Sequence, residues 1–278
     1  MNNAPVLVTG AHGFLGHNVV EALNDFKVFA PPRSELDCRE FGELSDYVAR
    51  HAIRFVVHCA GPGTQPKREE AGCFDNIVGM FFNLVRLRAR FEKVICVGTG
   101  HEFLARGSLS NLPCLKRYRS LPENPYGLAK LICNNFMHEH GLANFINVRI
   151  FYAFGKHEDP NARLLPGAIS HLLEHKDVSL DHDALLSCIY ATDFARFIAK
   201  LLIAERYGAC YHACYRQPIR LSALLAQVKD LCGSSSQIVI KDPRCDVYTS
   251  AGYLSGFQHS TKNLVELLEY YAQPAVAS

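Results

Sequence analysis

The sequence predicts an α/β fold: a doubly wound parallel sheet, with a smaller lobe contributed by the C-terminal part of the chain. Three observations carry this. Strand-like apolar runs alternate with helix-like runs through the first half of the 278 residues. A glycine-rich turn, Gly10-Ala11-His12-Gly13-Phe14-Leu15-Gly16, directly follows the first apolar run. The second half mixes short strands and helices less regularly, as a lobe interwoven with the main sheet would. Strands alternating with helices imply right-handed crossovers, parallel strands and a ligand site at the strands' carboxyl ends.

Taken in order, strands are expected at Val6–Thr9, Lys27–Ala30, Arg54–Cys59, Lys93–Val97 and Phe145–Ile150. Helical patterns fall between them, near Phe14–Asn24, Phe41–His51, Cys73–Arg90 and Tyr126–His140. The second half reads as a helix at Leu164–Glu174, strands at Val178–Leu180 and Cys188–Tyr190, and a helix over Asp193–Ala204. A strand at Cys210–His212, a helix at Leu221–Leu231, a strand at Gln237–Ile240 and a closing helix from Thr261 complete the reading. The sheet domain is assigned to 1–160 with a return over about 187–215, and most of 161–278 to the smaller lobe.

Composition excludes several classes. Hydrophobic residues are 49%, charged residues 20% and the formal charge is +2, so nothing marks a nucleic-acid or membrane surface. No run approaches the roughly 18 apolar residues that span a bilayer, and the start lacks a signal-peptide pattern. Eleven cysteines, odd in number and scattered, read as free thiols of a reducing cytoplasm. Cys210 and Cys214 have no second pair to complete a zinc site, so no metal is expected.

The glycine spacing has a chemical reason. One glycine permits the tight turn, one lets backbone N–H groups approach a pyrophosphate, and one lets helix pack on strand. The helix N-terminus then offers N–H donors and a favourable dipole to phosphates. Gly10, His12, Gly13, Phe14, Leu15 and Gly16 are therefore candidate dinucleotide contacts in a Rossmann-type sheet. After the second strand the sequence reads Phe29-Ala30-Pro31-Pro32-Arg33-Ser34, without the acid that an NAD site places there. Arg33 is suited to a 2′-phosphate, which favours NADP(H) and leaves NAD(H) open.

Tyr126-Gly127-Leu128-Ala129-Lys130 sets a tyrosine and a lysine four apart, on one face of a helix. An ammonium beside a phenol favours its phenolate, so such a tyrosine can exchange a proton near neutral pH. The strand Lys93–Val97 runs into Gly98-Thr99, whose hydroxyl is placed to hold a substrate oxygen near Tyr126.

With the glycine loop, the helix DNIVGMFFNLV with Asn76 and Asn83, the strand ending VGT, PYGLAK, and RIFYAFG followed by IYATDFA, the chain resembles the extended short-chain dehydrogenase/reductases. These are also called the NAD-dependent epimerase/dehydratase family, and the resemblance runs over nearly the whole chain. It implies a catalytic set of Thr99, Tyr126 and Lys130, with Tyr126 and Lys130 also contacting the cofactor. It further implies that Cys59, Ala60 and Gly61 line the cofactor, that Asn76 is a structural asparagine below the site, and that Asp193 supports the active-site wall. Thr64, His101, Tyr152 and Arg163 are the candidate substrate contacts.

Sugar-nucleotide 4,6-dehydratases of this family are marked by Thr-Asp-Glu, whereas this chain has Thr99-Gly100-His101, which argues against dehydration. The stretch Arg33-Ser34-Glu35-Leu36-Asp37 resembles NADP-dependent 4-keto sugar reductases. His101 or His157 is a candidate extra acid/base, though both read more simply as pocket-wall residues. An arginine that many members place seven residues before the aspartate is Leu186 here, and Arg163 is the candidate replacement for phosphate binding. The expected activity is NADPH-dependent reduction of a nucleotide-linked 4-keto-deoxysugar by a homodimer. Two alternatives stand beside it: an NAD-dependent nucleotide-sugar epimerase, and a non-catalytic NAD(P)-binding regulatory protein.

Overall fold

A computed structural model describes residues 2–61, 72–103, 109–112 and 121–273. Thr64, a candidate substrate contact, lies outside the described residues.

The main sheet is six-stranded and parallel throughout. Its strands are β1 (Asn2–Thr9), β2 (Phe26–Phe29), β3 (Phe55–His58), β4 (Lys93–Thr99), β6 (Phe145–Ile150) and β10 (Cys210–Ala213), in spatial order β2-β1-β3-β4-β6-β10. Because β2 and β3 flank β1 on opposite sides, the chain reverses its winding there, and the crevice above β1 and β3 is where such sheets take ligands. β3, β4 and β6 are buried at every residue, which explains why they read as continuous apolar runs rather than alternating ones.

Helices cover both faces. One face carries α1 (Phe14–Ala22) and α6 (Ala191–Ile203), packed on each other. The other carries α2 (Phe41–Arg50), α3 (Cys73–Arg86) and α4 (Pro125–Glu139), whose apolar residues join those of the sheet in a second core cluster. α4 starts with a designed-looking local signal: the Asn124 side chain accepts the Gly127 N–H at 2.6 Å, and Pro125 occupies the first helical position.

The remaining elements are β5 (Leu109–Leu112), β7 (Tyr152–Phe154), α5 (Leu164–Leu173), β8 (Val178–Leu186), β9 (Cys188–Tyr190), β11 (Ile219–Arg220), α7 (Leu221–Cys232), β12 (Ile238–Ser250) and α8 (Thr261–Ala272). They form a four-stranded sheet in the order β11-β8-β12-β5 and a two-stranded parallel pair, β7-β9. Several strands are longer than the sequence indicates, β8 and β12 by the most. β8 continues through Asp181-His182-Asp183, and β12 through Lys241-Asp242-Pro243-Arg244, because the two pair with each other along their length, with a register shift between Asp242 and Cys245. Among the described residues, no helix is long and apolar enough to cross a membrane.

Candidate active site

The glycine loop joins β1 to α1. Gly10 takes φ +67°, and a Cβ there would lie 2.7 Å from the Ala60 backbone; at Gly16 it would lie 2.1 Å from the Gly10 carbonyl oxygen. Only glycine permits this approach. Gly13 caps α1 and supplies no side-chain hydrogen bond, so the helix N-terminus faces the crevice without a protein anion of its own. Beneath the loop, His58 at the end of β3 shares a 2.7 Å hydrogen bond with the Thr9 hydroxyl at the end of β1. Burial, aided by the Lys130 ammonium, pushes the His58 imidazole down to about 3, so this brace is neutral.

The crevice has two arms that share Gly10, Gly13, Ala60 and Gly61. The first, of about 660 Å³, is lined by His12, Arg33, Leu36, Asp37, Arg39, Asn76 and Met80 among others. Asp37 lies between two guanidinium groups: Arg39 Nη2 is 2.5 Å and Arg33 Nε 3.3 Å from its Oδ2. Hydrogen bonding from Arg39 holds the Asp37 carboxyl well below the usual range. Asn76, which the resemblance implied to be a structural asparagine below the site, is exposed on the wall of this arm, where its Oδ1 accepts from Arg39 Nη1 at 3.4 Å.

The second arm, of about 440 Å³, gathers Phe14, Leu15, Gly16, Cys59, Thr99, His101, Tyr126, Lys130, Tyr152 and Arg163. Lys130 donates to the Val97 carbonyl at 2.8 Å, which anchors α4 to β4. The Thr99 hydroxyl accepts from the His101 N–H at 3.2 Å, leaving its own proton to donate into the arm. The His101 and Tyr126 rings meet edge-on with centroids 5.9 Å apart. Arg163 is held by Glu158, whose Oε2 is 2.9 Å from its Nε, and its guanidinium carbon lies 5.9 Å from the Phe14 ring centre. Burial, with the Glu158 charge adding, pushes the Tyr152 phenol up, so it enters the site as a neutral hydroxyl.

Of the expected catalytic, cofactor and substrate contacts, all that are described line one of the two arms, and Thr64 lies outside the described residues. His157 does not line either arm: it stacks on His17 with centroids 4.6 Å apart and bonds Glu21 and Tyr270. Asp193 also lies outside both arms, accepting from Tyr215 at 2.6 Å and Asn263 at 3.0 Å, and so ties α6 to α8. Sequence reasoning missed Arg39, whose charge lies in a run of charged residues, and gave Asp37 no role. It also missed Glu102, buried in the turn after β4.

The profile of the NAD dependent epimerase/dehydratase family matches residues 6–213. The chain belongs to that family. A UDP-glucose 4-epimerase from Azospirillum brasilense is 29% identical over 183 residues, 57% of this chain and only 51% of that protein, so the match spans about half of the relative's length. A GDP-L-fucose synthase from Azorhizobium caulinodans is 27% identical over 227 residues, 71% of this chain and 70% of that one. In fold, the chain is similar to a GDP-L-fucose synthetase from Naegleria fowleri bound to NADP, with a TM-score of 0.78 at 16% identity, covering 98% of this chain and 93% of that chain. It is also similar to a dTDP-4-dehydrorhamnose reductase from Bacillus anthracis in complex with NADP, with a TM-score of 0.76 at 18% identity, covering 97% and 99%. The family is one of nicotinamide-dinucleotide proteins, and the crevice fits such a cofactor: a glycine cradle that a Cβ would fill, an open helix N-terminus, and cationic groups on the wall of one arm.

Proposed function

We propose that this protein is an NADPH-dependent reductase of a keto group on a nucleotide-linked deoxysugar. The observation that carries the reading is the second arm, where Thr99, Tyr126 and Lys130 meet beside the glycine loop. The glycine loop would hold NADPH, which would supply the hydride for the carbonyl carbon. Thr99 donates a hydrogen bond to the substrate oxygen, Tyr126 delivers the proton to it, and Lys130 would hold the cofactor's ribose. His101 and Tyr152 shape the polar wall, and Arg163, oriented by Glu158, provides a cation for the substrate's phosphates. Arg33 and Arg39 in the first arm favour NADP over NAD, since a 2′-phosphate needs cationic partners.

Dehydration is disfavoured because the acid nearest Thr99 in the chain, Glu102, is fully buried and paired with Arg149 rather than turned into the arm. The second reading, an NAD-dependent epimerase, is favoured by Asp37, a carboxylate of the type that accepts from ribose hydroxyls. A homodimer through α3 and α4 fits the half-buried Phe82 and Phe136, whose rings meet with centroids 4.7 Å apart.

The test measures NADPH oxidation with 4-keto-6-deoxyhexoses linked to GDP, dTDP and UDP, beside the Tyr126→Phe variant. Turnover reduced on the order of 10²-fold or more, with NADPH affinity retained, is expected of the variant. Equal turnover by Tyr126→Phe refutes the assignment. Tightly held NAD that survives gel filtration, with no net oxidation, points to epimerisation instead.

A further inference from the structure

Glu102 sits in the 3₁₀ turn Gly100–Phe103 that follows β4, with no solvent exposure at all. Four donor approaches converge on its two oxygens. Oε1 accepts the Thr99 N–H at 3.1 Å; Asn147 Nδ2 lies 3.3 Å from both oxygens; Arg149 Nε donates to Oε2 at 2.6 Å. A carboxylate, which only accepts, can satisfy them all, whereas an amide must present its own N–H to one of them. The carboxylate lies so close to the strand that a Cβ at Gly98 would fall 2.6 Å from Oε1 and 2.1 Å from Asn147 Oδ1.

The same group reaches the other half of the site. Asn147 Nδ2 also donates to Asn134 Oδ1 at 2.9 Å, on α4, one turn beyond Lys130. At the start of that helix, a Cβ on Gly127 would lie 2.4 Å from the His101 carbonyl oxygen, so α4 and the turn are packed backbone against backbone. On its other side, the Arg149 guanidinium lies 4.7 Å from the Phe103 ring centre. The turn that presents Thr99 and His101 is thus gripped through Glu102 from β6 and, through Asn147, from the helix bearing Tyr126 and Lys130.

We propose that Glu102 is a positioning residue for the reaction: its buried carboxylate fixes Thr99 relative to Tyr126 and Lys130. The proposal rests on the catalytic reading of Thr99, and it makes Glu102 act through that residue alone. Misplacement of one reacting group by about 1 Å costs on the order of 10²-fold in rate.

A double-variant cycle tests this, with Glu102→Gln and Thr99→Val measured singly and together, using NADPH and the best 4-keto-6-deoxyhexose nucleotide of the panel. Glu102→Gln is expected to lower kcat by roughly 30- to 100-fold while the Kd for NADPH stays within about twofold. In the Thr99→Val background the same change should cost less than about threefold. Losses that multiply overturn the proposal and leave Thr99 catalytic, as does an unchanged kcat in Glu102→Gln. A fully active Thr99→Val removes the catalytic reading, and the proposal with it. Should Glu102→Gln fail to fold, Glu102→Gln with Arg149→Met removes both charges together and takes its place in the cycle. Amide exchange gives a readout independent of turnover: residues 98–103 should exchange at least about tenfold faster in the variant, with 93–97 unchanged. Equal exchange across 98–103 overturns the proposal.

Discussion

Acidification should weaken this fold at the floor of its cofactor crevice, through His58. The imidazole is 3% exposed, bonded to Thr9 across the point where the sheet reverses its winding, and held neutral down to about 3 by burial and by the Lys130 charge. An unfolded histidine binds its proton near 6.5. Its folded value is depressed, so the contribution is fully present above about pH 6.5 and is lost as pH falls toward 3, the unfolded chain taking the proton first. Linkage puts the loss between pH 7 and pH 5 at about 2 kcal/mol, and at pH 5 this figure barely depends on the folded value provided that it lies below about 4. The assay is urea unfolding of the wild type and of His58→Gln at pH 7, 6 and 5. The variant is less stable at pH 7 but lacks the titrating group, so its profile should be shallower by about 2 kcal/mol over that range. Parallel profiles would show that the fold accepts a proton at His58, and the argument from burial would fail.

Three further outcomes follow from the same reasoning. Arg39→Ala should weaken NADPH binding about tenfold and NADH binding by no more than about twofold, read by cofactor fluorescence; equal losses would place Arg39 on a part of the cofactor common to both. Lys93→Met should destabilise the protein by about 3 kcal/mol in urea unfolding, because the 4%-exposed ammonium donates to the Leu201, Leu202 and Ala204 carbonyls at 2.7, 3.0 and 2.9 Å at the end of α6. An unchanged midpoint would mean that water replaces it. Cys59, Cys96 and Cys133, whose thiols burial pushes up to about 12, should react with iodoacetamide at pH 8 at least about 100-fold slower than a free thiol; rapid labelling of Cys59 would show that the crevice wall opens.

How much of this was legible in the sequence depends on how local each signal is. The glycine loop, the Tyr126–Lys130 pair and the apolar strands depend on neighbours within a few residues, and they fall where the sequence places them. β12 did not read beyond Ile240 because Lys241-Asp242-Pro243-Arg244 has turn chemistry; its extended form is imposed by β8, some 60 residues away in sequence. Lys93 looked like the charged flank of a strand, and only the fold brings the last turn of α6 over it. Glu102 is the clearest case. An acid next to His101 in the chain reads as solvated until Asn147 and Arg149 arrive from β6.

These hidden groups have a common logic. β4 is fully buried, and a charge that departs from the binary pattern fixes it at each end: Lys93 at its start, gripping the end of α6, and Glu102 just past its finish, gripping Thr99. The two differ in energetic character. Lys93 donates to the carbonyls at the end of α6, so it adds stability directly. The Glu102–Arg149 pair must offset the desolvation of two ions with no exposure to water, and apolar replacements of similar shape are often as stable or more so. Its place in the core is therefore explained less by what it adds to stability than by the geometry it imposes on Thr99. A chain with both ions replaced by apolar residues should keep its fold and its cofactor, and lose turnover.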